Sequence, residues 1–339
     1  MNQSTSQSPA PLTPTPPRRR DLGHPGLFSS SRSFAPPVGS YVRPGTVDGY
    51  YIDFTAKAQE PSWPPPWLPA PEKQIHVAEA QWGLGCYERF LRGEGDGWLA
   101  GSIAAADHLI EQQQRGGPLE GGWVHGTAMP HTYRLDAGWL SAMAQGEGTS
   151  LLIRVHQRTG DERYLEAAMS ALRTLAIPTA DGGVRAELGD GFFLEEYPTI
   201  PASYVLNGGI FALWGYYDAA IALGDQDTKR QFQLGVDTLA ANLWRWDTGR
   251  WSLYDLFPHP APNIASSAYH LLHTTQLRAM QLVAPREEFE QTADRFDDYA
   301  RSRLHRAGAF ARKVAFRLVV PRNTLLAHRM PFGPRRAAT

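Results

Sequence analysis

The sequence has little cysteine, little lysine and no long apolar run, and these shortages exclude several classes of protein. The single cysteine, Cys86, excludes an intramolecular disulfide framework and a zinc site built from several cysteines. No apolar run approaches the roughly 20 residues that a transmembrane helix needs. No G-x-G-x-x-G word follows a strand pattern, so dinucleotide binding is not expected. Aromatic residues, by contrast, reach 11% with 10 Trp and 13 Tyr, and such ring surfaces suit carbohydrate among other ligands.

Charge is unevenly distributed, although the formal net charge of −1 gives no bulk attraction to nucleic acid. Residues 301–339 contain ten Arg or Lys and no Asp or Glu, which leaves 23 basic against 34 acidic residues in 1–300. A basic tail predicts an anionic partner: a polysaccharide, a membrane surface or a nucleic acid. Its segment 310–320 mixes basic and apolar residues. This pattern fits an interfacial helix, or equally a helix that caps the rest of the chain with a solvated basic face.

The N-terminal part is expected to be largely non-helical. Residues 1–40 are rich in Pro and Ser and predict a disordered arm. Residues 41–75 predict an extended segment, because the proline run 64–66 excludes helix, and 50–54 is a candidate for a short strand. No apolar stretch follows the arginines at 18–20, which argues against a secretory signal. We therefore expect a cytoplasmic protein, which the tail holds near an anionic polymer or the inner membrane face.

From residue 76 onward, apolar residues recur at helix spacing and predict eight helices. Short links within successive pairs alternate with long links between them, which predicts antiparallel helical hairpins. The predicted fold is all-α: an incomplete (α/α) barrel of about four hairpins over 76–304, followed by the basic tail 305–339. An α-solenoid is the alternative. The predicted helices are 76–92, 98–115, 141–159, 161–177, 206–224, 228–245, 264–284 and 286–304. Asp161 is expected to cap the start of helix 161–177.

The long links 116–140, 178–205 and 246–263 would meet at one mouth of such a barrel. Four uncommon sequence motifs lie in these links or in the helices that follow them. In these motif blocks the chain resembles the C-terminal helical domain of the D-glucuronyl C5-epimerases. These enzymes turn glucuronate into iduronate within heparan-type polysaccharides. The blocks are Gly138-Trp139 with 141–146, Glu195-Glu196-Tyr197-Pro198-Thr199 with 205–208, Tyr254-Asp255-Leu256, and Ala261-Pro262-Asn263 with Tyr269-His270.

The resemblance implies an (α/α) barrel, a cofactor-free mechanism without a metal, and catalytic tyrosines. By motif these are Tyr197, Tyr254 and Tyr269, with Glu196 beside the first, and Tyr51 matches a further family tyrosine weakly. The family pattern has an Arg three positions after the Tyr of the Tyr-Asp-Leu block, where this chain has Phe257. The candidates to replace that arginine as the group that binds the substrate carboxylate are Arg134, Arg185 and His270.

The chemistry indicates why these residue types are needed. Inverting C5 of a hexuronate removes a proton α to a carboxylate, so the site must stabilise negative charge on the carboxyl oxygens. It must also present a base on one face of the ring and an acid on the other. Tyrosine suits the acid because its pKa is about 10. As a base it needs a proton acceptor such as Glu196, unless Glu196 is itself the base.

Other polar and aromatic residues of the links have two interpretations each. His125 and His270 bind the substrate carboxylate or hydroxyls, or are satisfied structural groups. Trp123 and Trp139 each either stack on a sugar ring or belong to the core. Asn207 binds substrate or caps the helix that follows, and Asn263 is expected to cap helix 264–284.

The leading hypothesis is an isomerase that epimerises glucuronate at C5 in an acidic polysaccharide. A polysaccharide lyase or glycoside hydrolase acting on uronate polymers is the second hypothesis. A non-catalytic glycan-binding protein is the third. The expected partner is a glucuronate-containing polysaccharide and not nucleic acid, with peripheral membrane contact through the tail and a homodimer as further expectations. Only about 75 residues precede the helices, where animal family members carry a β-rich region, so the polymer stays unidentified.

Overall fold

The computed structural model describes residues 36–65, 76–130 and 132–321. The predicted disordered arm and the end of the basic tail lie almost wholly outside these residues. The described part is mostly helical, with nine α-helices and three two-stranded antiparallel sheets. None of the described helices combines the length and hydropathy needed to cross a bilayer. The helices are α1 His76–Leu91, α2 Asp96–Gln112, α3 Ala142–Thr159, α4 Glu162–Thr174, α5 Leu206–Leu223, α6 Gln226–Asn242, α7 Ser267–Val283, α8 Glu287–Arg301 and α9 Arg303–Val319.

All eight predicted helices are confirmed, with ends that differ by a few residues. Each even-numbered helix up to α8 packs on the helix before it, which forms the four expected hairpins. The odd-numbered helices α1, α3, α5 and α7 also contact one another in succession. The sheets lie in the links between hairpins. They pair β1 Val124–His125 with β4 Trp139–Leu140, β2 Met129–Pro130 with β3 Arg134–Leu135, and β5 Arg185–Leu188 with β6 Gly191–Leu194.

Helix α5 lies at the centre of the helical body because its sequence is apolar on every side. Residues 206–219 are all buried, and the helix contacts α3, α6 and α7. Gly146 of α3 packs directly on the α5 backbone: a Cβ there would lie 2.5 Å from the Ala212 Cα atom. A side chain at position 146 would therefore force the two helices apart.

Of the three residues expected to cap helices, one does so and two do not. Asp161 caps α4 by accepting a hydrogen bond from the Arg163 N–H, as its position predicts. Asn207 is not a cap, because α5 begins one residue before it, at Leu206. Asn263 is not a cap either: α7 begins at Ser267, and the Ser266 hydroxyl accepts from the Tyr269 N–H. The two asparagines are therefore available for other contacts.

The segment 36–65 forms no regular strand, so the strand expected at 50–54 is wrong. It contributes a single antiparallel bridge between Val38 and Ile52. Its aromatic side chains nevertheless belong to the main core, where Tyr51 stacks on Trp214 of α5 with ring centroids 4.6 Å apart. Apolar burial, rather than strand pairing, fixes this segment on the helices.

Helix α9 extends the helical body past residue 304. The Ser302 hydroxyl caps it, and the helix packs against α7 and α8. Ala309 and Phe316 are buried on its inner side. Within the described residues, the basic tail therefore includes a helix that packs over the rest of the chain. Its other side exposes large apolar residues, namely Leu304, Phe310, Val314 and Leu318.

Candidate active site

The turn after β6 brings two consecutive glutamates to one end of α5. The Glu195 side chain is buried and accepts hydrogen bonds from the backbone N–H groups of Ser203 at 2.9 Å and Tyr204 at 3.0 Å. These bonds close the loop between residues 195 and 204. Glu195 therefore fixes the local fold, and its neighbour Glu196 is directed at the first turn of α5.

The third long link is fastened to the same helix end by the backbone of Tyr254. Its carbonyl oxygen accepts from the Leu206 N–H at 3.2 Å, and its N–H donates to the Asn263 carbonyl oxygen at 2.7 Å. The Leu206 N–H is one of the unpaired donors at the start of α5, so this bond does the work of a cap. It also sets the Tyr254 side chain beside the Glu195–Tyr197 turn.

A chain of hydrogen bonds joins the candidate catalytic residues. The Tyr197 hydroxyl bonds both to the Glu196 carboxyl and to the Tyr254 hydroxyl. Tyr269, in the first turn of α7, meets Tyr254 edge to face with ring centroids 4.9 Å apart. Tyr197 and Tyr254 are buried, while Tyr269 is 37% exposed. The structure thus brings together the four residues that the motifs singled out as catalytic.

The environment of Glu196 favours its neutral form. Burial raises the pKa of this carboxyl to about 7, although the hydrogen bond from Tyr197 lowers it in part. The Oε2 atom has no hydrogen-bond partner and faces Gly208, where a Cβ atom would lie 2.4 Å from the Glu196 Cβ. A carboxyl with a pKa near neutrality can gain and lose a proton in turnover.

Burial also acts on the phenols. It raises the pKa of Tyr197 and of Tyr254 well above the ordinary value, and the nearby Glu196 carboxylate raises both further. Both phenols therefore hold their protons at neutral pH. Either one is a proton donor in this state and becomes a base only when a neighbour takes its proton.

A second phenol–carboxyl pair lies beside the first, and sequence reasoning missed it. The Tyr133 hydroxyl donates to Asp255, which also accepts from the Asn263 amide. The Tyr133 ring lies 5.2 Å from that of Tyr197. The signal for Tyr133 was its position in the first long link, five residues before the first motif block.

Helix α9 closes the open side of this cluster. A small pocket of about 30 Å³ is lined by Tyr254, Ser266, Tyr269, Lys313 and Arg317. The Lys313 ammonium donates to the Asn263 side-chain oxygen at 2.8 Å and to the Ile264 carbonyl oxygen at 2.7 Å. Arg317 donates to the Thr132 hydroxyl at 2.9 Å. Neither cation was identified as a site residue from the sequence, where both belonged to the basic tail.

His270, which the sequence predicts to bind substrate, contacts other protein groups instead. His270 stacks on Trp251 at 3.7 Å, its Nδ1 accepts from the Ser252 N–H, and its Nε2 bonds to the Phe296 carbonyl oxygen. Burial lowers the pKa of His270 to about 4, so the ring is neutral at physiological pH. Both of its nitrogens are occupied by protein groups, which makes it a structural residue here.

Arg185 and Tyr51 also lie apart from the tyrosine cluster. The Arg185 guanidinium bonds to Gln231 and lies over the Phe192 ring at 3.6 Å, on the α6 side of the hairpin. The Tyr51 hydroxyl donates to Asp218. Asp218 follows Gly208 by ten positions along α5, which corresponds to about 15 Å of helix.

The remaining candidates divide between core and surface. Trp123 is fully buried, and its indole N–H donates to the Leu109 carbonyl oxygen at 2.7 Å, so it belongs to the core. His125 is buried and stacks on Trp139 at 4.0 Å, and burial lowers its pKa to about 3. Arg134 is exposed on β3. Asn207 accepts from Gln276 through its backbone oxygen, next to the glycine that faces Glu196.

Phenols thus surround a buried carboxyl whose pKa is raised to about 7, at one end of the helical body. A profile of the family described as D-glucuronyl C5-epimerase C-terminus matches residues 120–298, more than half of the chain. The chain therefore belongs to this family. The matched range contains Glu196, Tyr197, Tyr254 and Tyr269, but it ends before α9.

The chain is also similar in sequence to individual proteins. The chain is 38% identical to the D-glucuronyl C5-epimerase of Caenorhabditis elegans over 216 residues, which cover 58% of this chain and 34% of that protein. It is 30% identical over 159 residues to an uncharacterized protein of Methanocaldococcus jannaschii, covering 46% of this chain and 50% of the relative. The chain thus spans between a third and a half of the length of these curated relatives.

Among solved structures, the chain is similar to an unsaturated glucuronyl hydrolase from Bacillus sp. GL1 that is described as responsible for the degradation of glycosaminoglycan. The TM-score is 0.40 at 16% identity, and the likeness covers 69% of this chain and 61% of that one.

Proposed function

We propose that this chain is an isomerase that inverts C5 of glucuronate to give iduronate within an acidic polysaccharide. The observation that carries the proposal is the hydrogen-bonded series Tyr254–Tyr197–Glu196, which ends on a carboxyl whose pKa is about 7. Membership of the D-glucuronyl C5-epimerase family supports the same reaction. We also propose that the four hairpins form an incomplete (α/α) barrel, with the site at the end where the long links meet.

In the proposed reaction, Glu196 is the final acceptor of the proton that leaves C5. An ionised Glu196 draws the proton of Tyr197, and Tyr197 in turn draws that of Tyr254. The Tyr254 oxygen then takes the proton from C5, and the electron pair delocalises into the substrate carboxylate. One proton has moved from carbon to Glu196, and no cofactor takes part in the transfer.

Tyr269 supplies the second proton. It is the most exposed phenol of the three and lines the same pocket as Tyr254. Its hydroxyl donates to C5 on the opposite face of the ring, and solvent then restores its proton. The pocket of about 30 Å³ is too small for a hexuronate ring, so the ring lies at the mouth of the pocket in the proposed complex.

Incubation of the full chain with heparosan or another glucuronate polymer in D₂O tests this function. Deuterium should appear at C5 without shortening of the polymer. Chain shortening with new near-ultraviolet absorbance would identify a lyase instead, and shortening without that absorbance would identify a hydrolase. Tight binding without exchange or cleavage would leave the non-catalytic glycan-binding alternative.

A further inference from the structure

The inner side of α9 contributes two cations to the pocket that contains two of the candidate catalytic phenols. Ala309, Lys313, Phe316 and Arg317 recur at helix spacing, so they lie on one side of the helix. Ala309 and Phe316 are buried there, and Lys313 and Arg317 line the pocket with Tyr254 and Tyr269. The Lys313 ammonium also lies 5.7 Å from the centre of the Tyr254 ring.

The link that carries Tyr254 cannot provide such charge itself. Residues 254–263 contain no Lys or Arg. Phe257 in this link is buried against Tyr133 at 5.6 Å and His259 at 4.7 Å. His259 in turn contacts Phe316 of α9 at 5.2 Å. An apolar residue at position 257 thus helps to form the surface on which α9 packs.

The proposed reaction needs positive charge at this place, because the substrate carboxylate gains negative charge when the C5 proton leaves. We propose that Lys313 and Arg317 bind the carboxylate of the hexuronate whose C5 faces Tyr254 and Tyr269. This inference rests on the proposed function and names the groups that recognise its substrate. A guanidinium matches a carboxylate with two parallel hydrogen bonds, and an ammonium adds a point charge.

The small size of the pocket agrees with this assignment. About 30 Å³ is the space of a water molecule or two, or of one carboxylate group, and not of a pyranose ring. The carboxylate therefore enters between α9 and the tyrosines, and the ring lies at the mouth. Arg185 and His270 do not line this pocket: Arg185 bonds to Gln231 and lies over Phe192, and His270 is neutral with both nitrogens bonded.

The test compares Lys313→Met and Arg317→Met with Arg312→Met, which removes the same charge from an exposed position on the same helix. Binding of heparosan oligosaccharides is measured alongside binding of the same oligosaccharides after reduction of their carboxyl groups. The full-length wild-type chain should prefer the carboxylate form. Each pocket variant should lose about tenfold or more of its affinity for that form, because a charge-assisted hydrogen bond is removed. Arg312→Met should stay within twofold, and Arg317→Lys should recover part of the loss.

Binding of the carboxyl-reduced oligosaccharides separates this role from a structural one. Lys313 also fastens α9 through Asn263 and Ile264, so a variant that merely displaced the helix would weaken both ligands equally. Equal weakening, or a loss that Arg312→Met shares, would overturn the proposal. Exchange at C5 that both pocket variants leave within twofold of wild type would also overturn it while preserving the epimerase. Conversely, carboxylate-dependent binding that needs both cations, in a chain that never exchanges C5, would support the binding site and contradict the reaction.

Discussion

Two buried tyrosine–carboxylate pairs lie at different levels of α5, and they differ in what else touches the carboxylate. The Tyr51 hydroxyl donates to Asp218, which also accepts a hydrogen bond at 2.6 Å from the fully buried guanidinium of Arg154. The Tyr197 hydroxyl bonds to Glu196, whose second oxygen has no hydrogen-bond partner. The first carboxylate forms an ion pair with a guanidinium, whereas burial without such a partner raises the pKa of the second to about 7.

The comparison shows how one pair of residue types serves two purposes. Where a positive charge balances the carboxylate, the pair is part of the scaffold, and its loss should affect stability. Where only phenols surround the carboxyl, a proton can move, and its loss should affect chemistry.

The largest expected effect is on the rate of C5 exchange. Tyr254→Phe or Tyr197→Phe should lower it by about 10² to 10⁴, the usual contribution of general acid–base catalysis, because each breaks the route to Glu196. Deuterium incorporation at C5, followed by NMR, measures the rate. Tyr51→Phe is the matched control, since it removes the same hydroxyl from the other pair. A comparable loss of exchange in the control would abolish the distinction between the two pairs.

Arg154→Met should produce the largest loss of stability. Asp218 would stay buried without its counter-charge, and breaking a buried ion pair in this way costs about 3 to 5 kcal/mol. Chemical denaturation, compared with that of wild type, gives the change in the free energy of unfolding. Adding Asp218→Leu should recover much of the loss. A single variant that unfolds like wild type would contradict the assignment of this pair to the scaffold.

Glu196→Gln should stabilise the protein at pH 8 while abolishing exchange. The folded-state pKa of about 7 lies above the reference value of 4.5, so the folded protein holds more protons than the unfolded chain between these values. Stability contributed by Glu196 is therefore present below about pH 4.5 and is lost as the pH rises towards 7. The neutral amide avoids this loss and should gain about 1 to 3 kcal/mol at pH 8, with little gain near pH 4.5.

Thermal unfolding of wild type and Glu196→Gln at both pH values measures this difference. Exchange by the wild-type chain should also decline as the pH falls through 7, because the acceptor becomes protonated. A variant that is less stable than wild type at pH 8 would show that ionised Glu196 is not under strain.

The smallest effect is expected from Tyr51→Phe on stability. The variant loses one hydroxyl donor to Asp218 but keeps the ring packed on Trp214 and the ion pair with Arg154. The loss should be about 1 to 2 kcal/mol, within the range for removing one partner of a buried hydrogen bond. Denaturant midpoints are precise enough to detect it. A loss as large as that of Arg154→Met would mean that the phenol, and not the guanidinium, maintains Asp218.

Much of the helical framework could be predicted because its signals are local. Helix periodicity gave all eight helices of the hairpins, and Asp161 gave a correct cap. The asparagine caps failed because serine at 266 and a backbone carbonyl at 254 meet the helix ends instead. The strand at 50–54 failed because its aromatic residues are buried against α5 without a partner strand.

The site was predicted in part. The sequence motifs predicted four catalytic residues, and the structure brings their side chains together. They are Glu196, Tyr197, Tyr254 and Tyr269. Tyr133 was missed because its link contains several aromatic residues with no local feature to rank them. Lys313 and Arg317 were missed because a basic tail looks the same in sequence whether it is free or packed on the site.

The sequence by itself determined which segments between residues 76 and 304 form helices, that α5 is apolar on every side, and which motifs identify the family, since all of these depend on neighbours along the chain. Only the tertiary structure decided which tyrosine–carboxylate pair receives a guanidinium, and that α9 turns its cations towards the phenols. Those outcomes depend on surfaces that meet across tens of residues of sequence. Periodicity indicates that one side of a helix is apolar, but it does not indicate what that side will contact.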